Sequence, residues 1–190
     1  MTDPFAQPAA DPVAEHAERV EHRWAAVMVA VMVLLVAVAT FAAFYHVAVP
    51  QARVETVNPR TLHLAGEFIE SNLGSALEPD GSVTVRAIGE QYSFTPSCLL
   101  VPTDTPITFR MTSADVVHGF LVGETNINLM LVPGYISSLG ARFDAPGERL
   151  MPCHEFCGVG HEGMWARVKI VDKAAFVALA AQHRRLSCVE

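Results

Sequence analysis

A long stretch without charged residues lies near the N-terminus. From Ala25 to Val49 the chain contains no Asp, Glu, Lys or Arg. A helix that crosses a bilayer needs about 20 apolar residues, whereas the apolar region of a signal peptide has about 7–15. A buried core helix would carry periodic charges on a polar face, and none occur here. The pattern predicts one transmembrane helix over residues 24–50, with Trp24 and Tyr45 at its interfaces and Pro50 closing it.

From Ser82 onward the hydrophobic pattern changes to alternation. Apolar Val83, Val85 and Ala87 alternate with polar neighbours, which is the period of a half-buried strand. Turn signals separate further candidate strands, which cover residues 107–112, 117–122, 127–132, 135–143, 148–152 and 165–171. Several short strands at such spacing predict a β-sandwich or barrel, and we expect this domain to span residues 82–171.

The remaining segments are predicted to be an N-terminal segment before the helix, a linker and a C-terminal tail. Residues 1–23 precede the membrane helix, and the Ala/Pro/Asp-rich residues 1–15 have the composition of a disordered segment. Residues 51–81 form a polar linker that includes a short amphipathic helix over residues 61–77. Residues 172–190 contain a terminal helix followed by a tail.

The charge balance limits the classes of partner. Of 190 residues, 13 are basic and 20 acidic, which gives a net charge of −7. A nucleic-acid-binding protein needs a basic face, so nucleic acid is excluded as a partner. The chain has four cysteines, and Cys98 and Cys188 lie outside the motif described next. For this pair a disulfide and two unrelated thiols are equal alternatives.

Two thiols, an imidazole and a thioether lie in one short segment near the C-terminus. Cys153, Cys157, His161 and Met164 have the spacing C-x3-C-x3-H-x2-M. Thiolate and thioether ligands select copper, and imidazole also suits it. A single blue-copper site uses one Cys, two His and a Met, so the second Cys indicates two copper ions bridged by two thiolates. His118 is the best candidate for the second imidazole.

Two other interpretations of this segment stay open. Cys153 and Cys157 could form a disulfide, as is common in exported domains, but His161 and Met164 would then be unexplained. A zinc site is the other, although zinc fingers use a separate pair of histidines and no Met.

The ligand spacing, together with Asp115-Val116-Val117-His118, resembles subunit II of the heme-copper cytochrome c oxidases. The resemblance covers roughly residues 20–171 and implies a mainly β, cupredoxin-like Greek-key sandwich anchored by one N-terminal transmembrane helix. A single membrane helix, with no Trp-rich run before His118, is similar to the B-type branch. The implied cofactor is a binuclear copper centre, CuA, whose metal ligands would be His118, Cys153, Glu155 (through its backbone carbonyl), Cys157, His161 and Met164.

The resemblance also implies a function. The subunit would accept electrons from cytochrome c or a small copper protein and pass them to heme in the catalytic subunit I. There oxygen is reduced to water, coupled to proton translocation. The copper domain would face the outer, periplasmic side of a bacterial or archaeal plasma membrane. The Glu155 side chain would reach a Mg2+ at the contact with subunit I, for which a solvated or interface-paired Glu is the alternative.

Two competing functions and three supporting residues complete the expectations. A nitric oxide reductase subunit would share every motif, and a membrane-anchored copper carrier belongs to a different class, with exposed, exchangeable ligands. Asp115 or a nearby backbone carbonyl is expected to orient an imidazole, with a solvated Asp as the alternative. Phe120 and Trp165 are expected in an exposed apolar patch for the electron donor, with a core position as the alternative.

Overall fold

The computed structural model describes residues 12–45 and 53–188, which belong to two separate units. The first is a single helix, α1 (Pro12–Tyr45), which is long and apolar enough to cross a membrane. Its 34 residues correspond to about 51 Å, more than the hydrocarbon core of about 30 Å. The helix thus begins well before Trp24. The predictions for residues 1–11 and for Pro50 lie outside the described part of the chain.

The second unit is a β domain with one short α-helix. In chain order its elements are β1 (Glu55–Thr56), β2 (Gly74–Leu77), β3 (Val83–Glu90), β4 (Ser93–Thr95), β5 (Cys98–Pro102), β6 (Ile107–Ser113), β7 (His118–Leu121), β8 (Asn128–Leu131), β9 (Tyr135–Ala141), β10 (Gly147–Pro152), β11 (Trp165–Val171) and α2 (Lys173–Ala180). One mixed sheet has the order β1-β9-β6-β3-β2, with β4 paired to β3. A second has the order β10-β11-β5, and β7 pairs with β8.

The sheets enclose one main hydrophobic core. The predicted alternation in β3 is present, since Val83, Val85 and Ala87 are fully buried while Thr84 and Arg86 are half-buried. Facing strands complete the core with large side chains, including Phe94, Leu99, Phe109, Met111, Phe120, Met151 and Val168. Strands β3 and β6 are parallel, as are β5 and β11. Cys153, Cys157 and Met164 of the C-terminal motif also belong to this core.

The predicted amphipathic helix over residues 61–77 is wrong. The described segment instead contains two short 3-10 turns, Pro59–Thr61 and Glu70–Asn72, followed by β2. Gly66 has φ +86, which lies outside the helical region and interrupts any continuous helix. The segment still buries Leu62, Phe68 and Leu73 in a second small core. Its apolar periodicity therefore reflects packing on the sheet without a helical backbone.

The C-terminal segment links the two larger sheets. Helix α2 ends at Ala180, and the following chain forms isolated bridges from Leu186 to Ser75 in β2 and from Ser187 to Leu99 in β5. Cys188 forms a disulfide with Cys98, with 5.3 Å between the two Cα atoms. Of the two alternatives for these cysteines, the structure therefore contains the disulfide.

A partly buried ion-pair network holds the linker on the main sheet. Glu67 accepts hydrogen bonds from Arg110 of β6 and, at 3.0 Å, from Arg86 of β3, and Arg110 also pairs with Glu55. Partial burial alone would raise the pKa of Glu67. The hydrogen bonds and charge of Arg110, followed by the charge of Arg86, outweigh burial and hold this pKa below its ordinary value of 4.5.

We predict that Glu67→Gln lowers the free energy of unfolding by about 1.5–3 kcal/mol at neutral pH, the usual contribution of hydrogen bonds to charged groups. Because the pKa of folded Glu67 is depressed, its contribution is present above 4.5 and is lost as the pH falls through the lowered pKa. Urea unfolding at neutral and acidic pH measures this difference.

The matched control is Glu148→Gln, which removes an exposed pair with Arg167 at 3.6 Å and should change stability little. A stability loss in Glu67→Gln that persists unchanged at acidic pH would contradict the assignment.

Candidate metal centre

The ligand segment, residues 153–164, connects the ends of two paired strands. Pro152 at the end of β10 faces Trp165 at the start of β11. The Cys153 amide donates to the Met164 carbonyl at 3.0 Å, which closes the base of the loop. The loop contains a 3-10 turn, His161–Gly163. The Met164 amide donates to the His161 carbonyl at 3.1 Å and closes this turn. Both ends of the loop are thus fixed by the sheet.

Strand β7 brings the distant His118 to this loop. His118 is its first residue, and Phe120 forms an isolated antiparallel bridge with Cys153. The His154 amide donates to the Gly119 carbonyl at 3.0 Å. These backbone contacts place the fully buried imidazole of His118 beside the loop. The proposal that His118 binds the same metal centre as the loop residues requires this arrangement.

All six sequence-predicted ligands converge on one small volume. The sulfur atoms of Cys153 and Cys157 are 3.8 Å apart. His118 Nδ1 lies 3.8 Å from the Cys153 sulfur, and the Glu155 carbonyl oxygen lies 3.3 Å from it. His161 Nδ1 and Met164 Sδ lie 3.6 and 3.7 Å from the Cys157 sulfur. The thiols, His118 and the thioether are buried, and His161 is half-buried.

The distances bear on the two open alternatives. A disulfide needs sulfur atoms at about 2.05 Å, and both of these cysteines are free thiols. A single tetrahedral zinc would need both imidazoles close to one ion. His118, Cys153 and Cys157 place their ligand atoms within 4.8 Å of one another, and His161 lies outside this group. Each imidazole instead lies beside a different sulfur, which favours two ions over one.

Asp115 orients the buried imidazole. Its Oδ1 accepts a hydrogen bond from His118 Nε2 at 2.8 Å, so Nε2 carries the proton and Nδ1 presents its lone pair to the thiols. Partial burial would raise the pKa of Asp115. Hydrogen bonds from His118 and from the backbone amides of Gln91 and Val116 outweigh this effect and lower the pKa. Of the alternatives for Asp115, the structure has the orienting role.

The metal-free Cys157 thiol resists ionisation. Burial, a hydrogen bond with Cys153 and the charge of that group raise the pKa of Cys157 to about 11. At neutral pH the Cys157 thiol is therefore protonated, and a metal ion must displace its proton to bind.

Sequence reasoning missed the residues that shape the site without binding metal. A Cβ at Gly119 would lie 2.6–2.8 Å from backbone atoms of His154 and Glu155, so only glycine allows the loop to approach β7 this closely. A Cβ at Gly160 would lie 2.8 Å from the ring of Tyr92, which covers the loop. Glycines directly after His118 and within the ligand segment were the available signals.

One of the two aromatic residues expected in a docking patch is in the core. Phe120 is fully buried and packs against Phe109 with 5.2 Å between ring centroids, so its expected exposure is wrong. Phe120 belongs to the main hydrophobic core, although its backbone forms the bridge with Cys153. Trp165 is half-exposed, and its indole nitrogen donates to the Glu162 carbonyl at 2.6 Å.

Comparison with known proteins places this geometry in a family. Residues 93–171 match the family described as cytochrome C oxidase subunit II, periplasmic domain. A cytochrome c oxidase subunit 2 of Thermus thermophilus is 30% identical over 154 residues, which cover 80% of this chain and 92% of that protein. The chain belongs to the cytochrome c oxidase subunit II family.

Two further comparisons extend this result. The heme-copper oxidase subunit 2 of Aeropyrum pernix is 38% identical over 92 residues, covering 47% of this chain and 39% of that protein. A chain of a heme-copper terminal oxidase dimer solved by cryo-electron microscopy has a TM-score of 0.54 and 22% identity, covering 82% of this chain and 99% of that one. The predicted fold class, a cupredoxin-like β-sandwich that follows one apolar helix in the chain, is confirmed.

We predict that Gly119→Ala prevents formation of a stable metal centre, because the added Cβ pushes the loop backbone away from β7 and separates His118 from the thiols. Copper stoichiometry of the purified chain measures this loss. The matched control is Gly163→Ala in the same loop, where an added Cβ meets nothing within 4 Å and copper should be retained. Equal copper contents in the two variants would contradict the prediction.

Proposed function

We propose that this subunit carries a binuclear copper centre of the CuA type and is the electron-entry subunit of its oxidase. The observation that carries the proposal is the pair of buried thiols 3.8 Å apart, each with its own imidazole. The proposed ligands are His118, Cys153, the Glu155 carbonyl, Cys157, His161 and Met164.

The donor set fits two copper ions. Two thiolates, two imidazoles and a thioether are ligands that copper prefers. Cys153 and Cys157, whose sulfur atoms are 3.8 Å apart, would hold the copper pair between them, and His118 and His161 would each supply one imidazole.

The protein's part is to hold these ligands still. When bound, the copper pair supplies a one-electron redox couple. The loop ends are paired in β10 and β11, His118 begins β7, and Asp115 holds its ring, so the ligands have little freedom to rearrange. Burial of both thiols keeps water away from the site. A site that does not rearrange on a change of oxidation state exchanges electrons faster than one that does.

The partners in the proposal follow from the family. Electrons come from cytochrome c or a small copper protein and pass to heme in catalytic subunit I, where oxygen is reduced to water and protons are translocated. Helix α1 anchors the subunit as a single pass, with the copper domain on the outer side of a bacterial or archaeal plasma membrane. The burial of the thiols, His118 and Met164 disfavours a copper carrier, which needs exchangeable ligands.

The Mg2+ site at the Glu155 side chain stays a prediction from the family resemblance. This side chain is half-buried, so it could meet a partner's ligands at an interface. A Glu155→Gln complex that keeps copper but loses the Mn2+ EPR signal after manganese substitution would support it, and an unchanged signal would count against it.

Several apolar side chains near the loop are exposed to a donor. Phe156 is 80% exposed and packs edge-on against His161 with 5.8 Å between ring centroids, and Val159 is 90% exposed. Trp165 adds a half-exposed indole directly after Met164. Exposed apolar patches of this kind mark interaction sites.

We predict that Cys153→Ser and Cys157→Ser each abolish the binuclear centre, because a serine hydroxyl is a harder and less acidic ligand than a bridging thiol. Met164→Leu should be milder, since an axial thioether mainly tunes the potential. EPR of the copper-loaded chain measures the outcome, with an unpaired electron shared by two copper nuclei expected for the unaltered protein.

The double variant Cys98→Ser, Cys188→Ser is the matched control, because it removes the other two cysteines and should keep the shared-electron signal. A single-copper signal from the unaltered chain would remove the proposed function. Equal copper loss in the Cys and Met variants would overturn the order of ligand importance.

We also predict that Trp165→Ala lowers kcat/KM for donor oxidation about tenfold, the effect of the roughly 1.4 kcal/mol that truncating an interface aromatic commonly costs. Copper content should not change. The control is Tyr135→Ala on β9, a side chain of similar exposure. Unchanged donor kinetics in Trp165→Ala with copper bound would exclude this surface from docking.

A further inference from the structure

Gln91 makes two hydrogen bonds that reach different halves of the site. It lies between β3 and β4, outside the ligand segment. Its side-chain amide donates to the carbonyl of Cys157, and its backbone amide donates to Asp115 Oδ2 at 2.8 Å. A residue of another strand connection thus contacts both the loop that carries the thiols and the carboxylate beside the first imidazole.

The bridge continues from Asp115 to a ligand. While Oδ2 accepts from Gln91, Oδ1 accepts from His118 Nε2 at 2.8 Å. The path from the Cys157 carbonyl through Gln91 and Asp115 therefore ends on the imidazole that faces the other thiol, that of Cys153. Hydrogen-bond partners of this kind fix the orientation of metal ligands.

The loop is shaped to receive this side chain. A Cβ at Gly158 would lie 2.5 Å from the Tyr92 hydroxyl and 2.8 Å from Gln91 Nε2, and Gly158 has φ +134, a backbone region that favours glycine. The residue after Cys157 therefore has both the conformation and the missing side chain that the contact with Gln91 requires.

We propose that Gln91 is a positioning residue for the metal centre, which fixes the Cys157 side of the loop relative to His118. The inference rests on the proposed copper function and deepens it. The Gln91 side chain touches no ligand atom. It sets the separation between the two halves of the donor set, so its loss loosens the site without removing a ligand.

Two substitutions isolate the side-chain bond. Gln91→Met keeps the size and neutrality of the side chain but has no N–H donor, and Gln91→Glu keeps the shape while presenting only acceptors to the Cys157 carbonyl when ionised. Both retain the backbone amide that donates to Asp115. The matched control is Gln182→Met just after α2, where an exposed side-chain amide also lies near a backbone carbonyl, that of Ala178, at 3.5 Å.

The experiment uses the full chain in detergent, loaded with copper. It measures the rate of copper release to a chelator, the EPR spectrum of the oxidised centre and the melting of the metal-free chain. Gln91→Met should release copper about three- to tenfold faster, the range expected for loss of one hydrogen bond, with an altered EPR hyperfine pattern. Gln91→Glu should release it faster still. Gln182→Met should match the unaltered chain in all three measurements.

The outcomes separate this inference from the proposed function. Unchanged copper release and EPR spectra in both Gln91 variants would overturn the positioning role while leaving the copper function intact. Lower stability of the metal-free chain with an unaltered spectrum would overturn it too, because Gln91 would then be merely structural. Failure of the unaltered chain to bind a copper pair would overturn both.

Discussion

The close approach of the ligand loop to β7 is the contact on which the site depends. His118 and the thiols belong to separate elements, 35 residues apart between His118 and Cys153. Their meeting requires two backbones to pack directly against each other, with the His154 amide bonded to the Gly119 carbonyl and Phe120 bridged to Cys153. The missing side chain at Gly119 makes this distance possible. Phe120, which bridges Cys153, also packs in the core against Phe109, so this contact joins the site to the packing of the sandwich.

Around this contact the chain holds the ligands through groups that are not ligands. Asp115 selects the tautomer of His118, and the paired ends of β10 and β11 close the loop that carries the remaining ligands. The C-terminal segment forms bridges to both of the larger sheets, and its disulfide joins Cys188 to Cys98, 90 residues earlier in the chain. A rigid frame of this kind suits the proposed electron transfer, which is slower when the ligands have to move.

The sequence predicted the parts of the fold whose side chains alternate, and it failed where tertiary contacts override local pattern. Strands β3, β6 and β11 have the periodicity of one buried face and were found within a few residues. All five residues of β5 are buried, so the strand shows no alternation, and periodicity alone does not distinguish such a short apolar run from a buried helix segment. The linker has apolar spacing close to that of a helix, but Gly66 and packing on the sheet impose an irregular backbone.

The ligand candidates were the most predictable part of the site because the residue types alone determine which metals they can bind. Soft ligands in one loop restrict the choice of metal whatever the fold. Gln91 carries no such signal: a glutamine between two strands is ordinary, and its role depends on the distance between its amide and the Cys157 carbonyl. Sequence alone supplies residue types, and positioning residues are defined by distances that exist only after folding.

The raised pKa of Cys157 determines the protonation state of this thiol before a metal ion binds. A buried thiolate without a metal ion would be an uncompensated charge, and burial raises the pKa of this thiol to about 11. The nucleophilic and easily oxidised form of cysteine is the thiolate, so the neutral thiol is the less reactive state. The 3.8 Å sulfur separation also has to shorten before a disulfide can form. Burial therefore keeps Cys157 as the neutral, less reactive thiol until a metal ion displaces its proton.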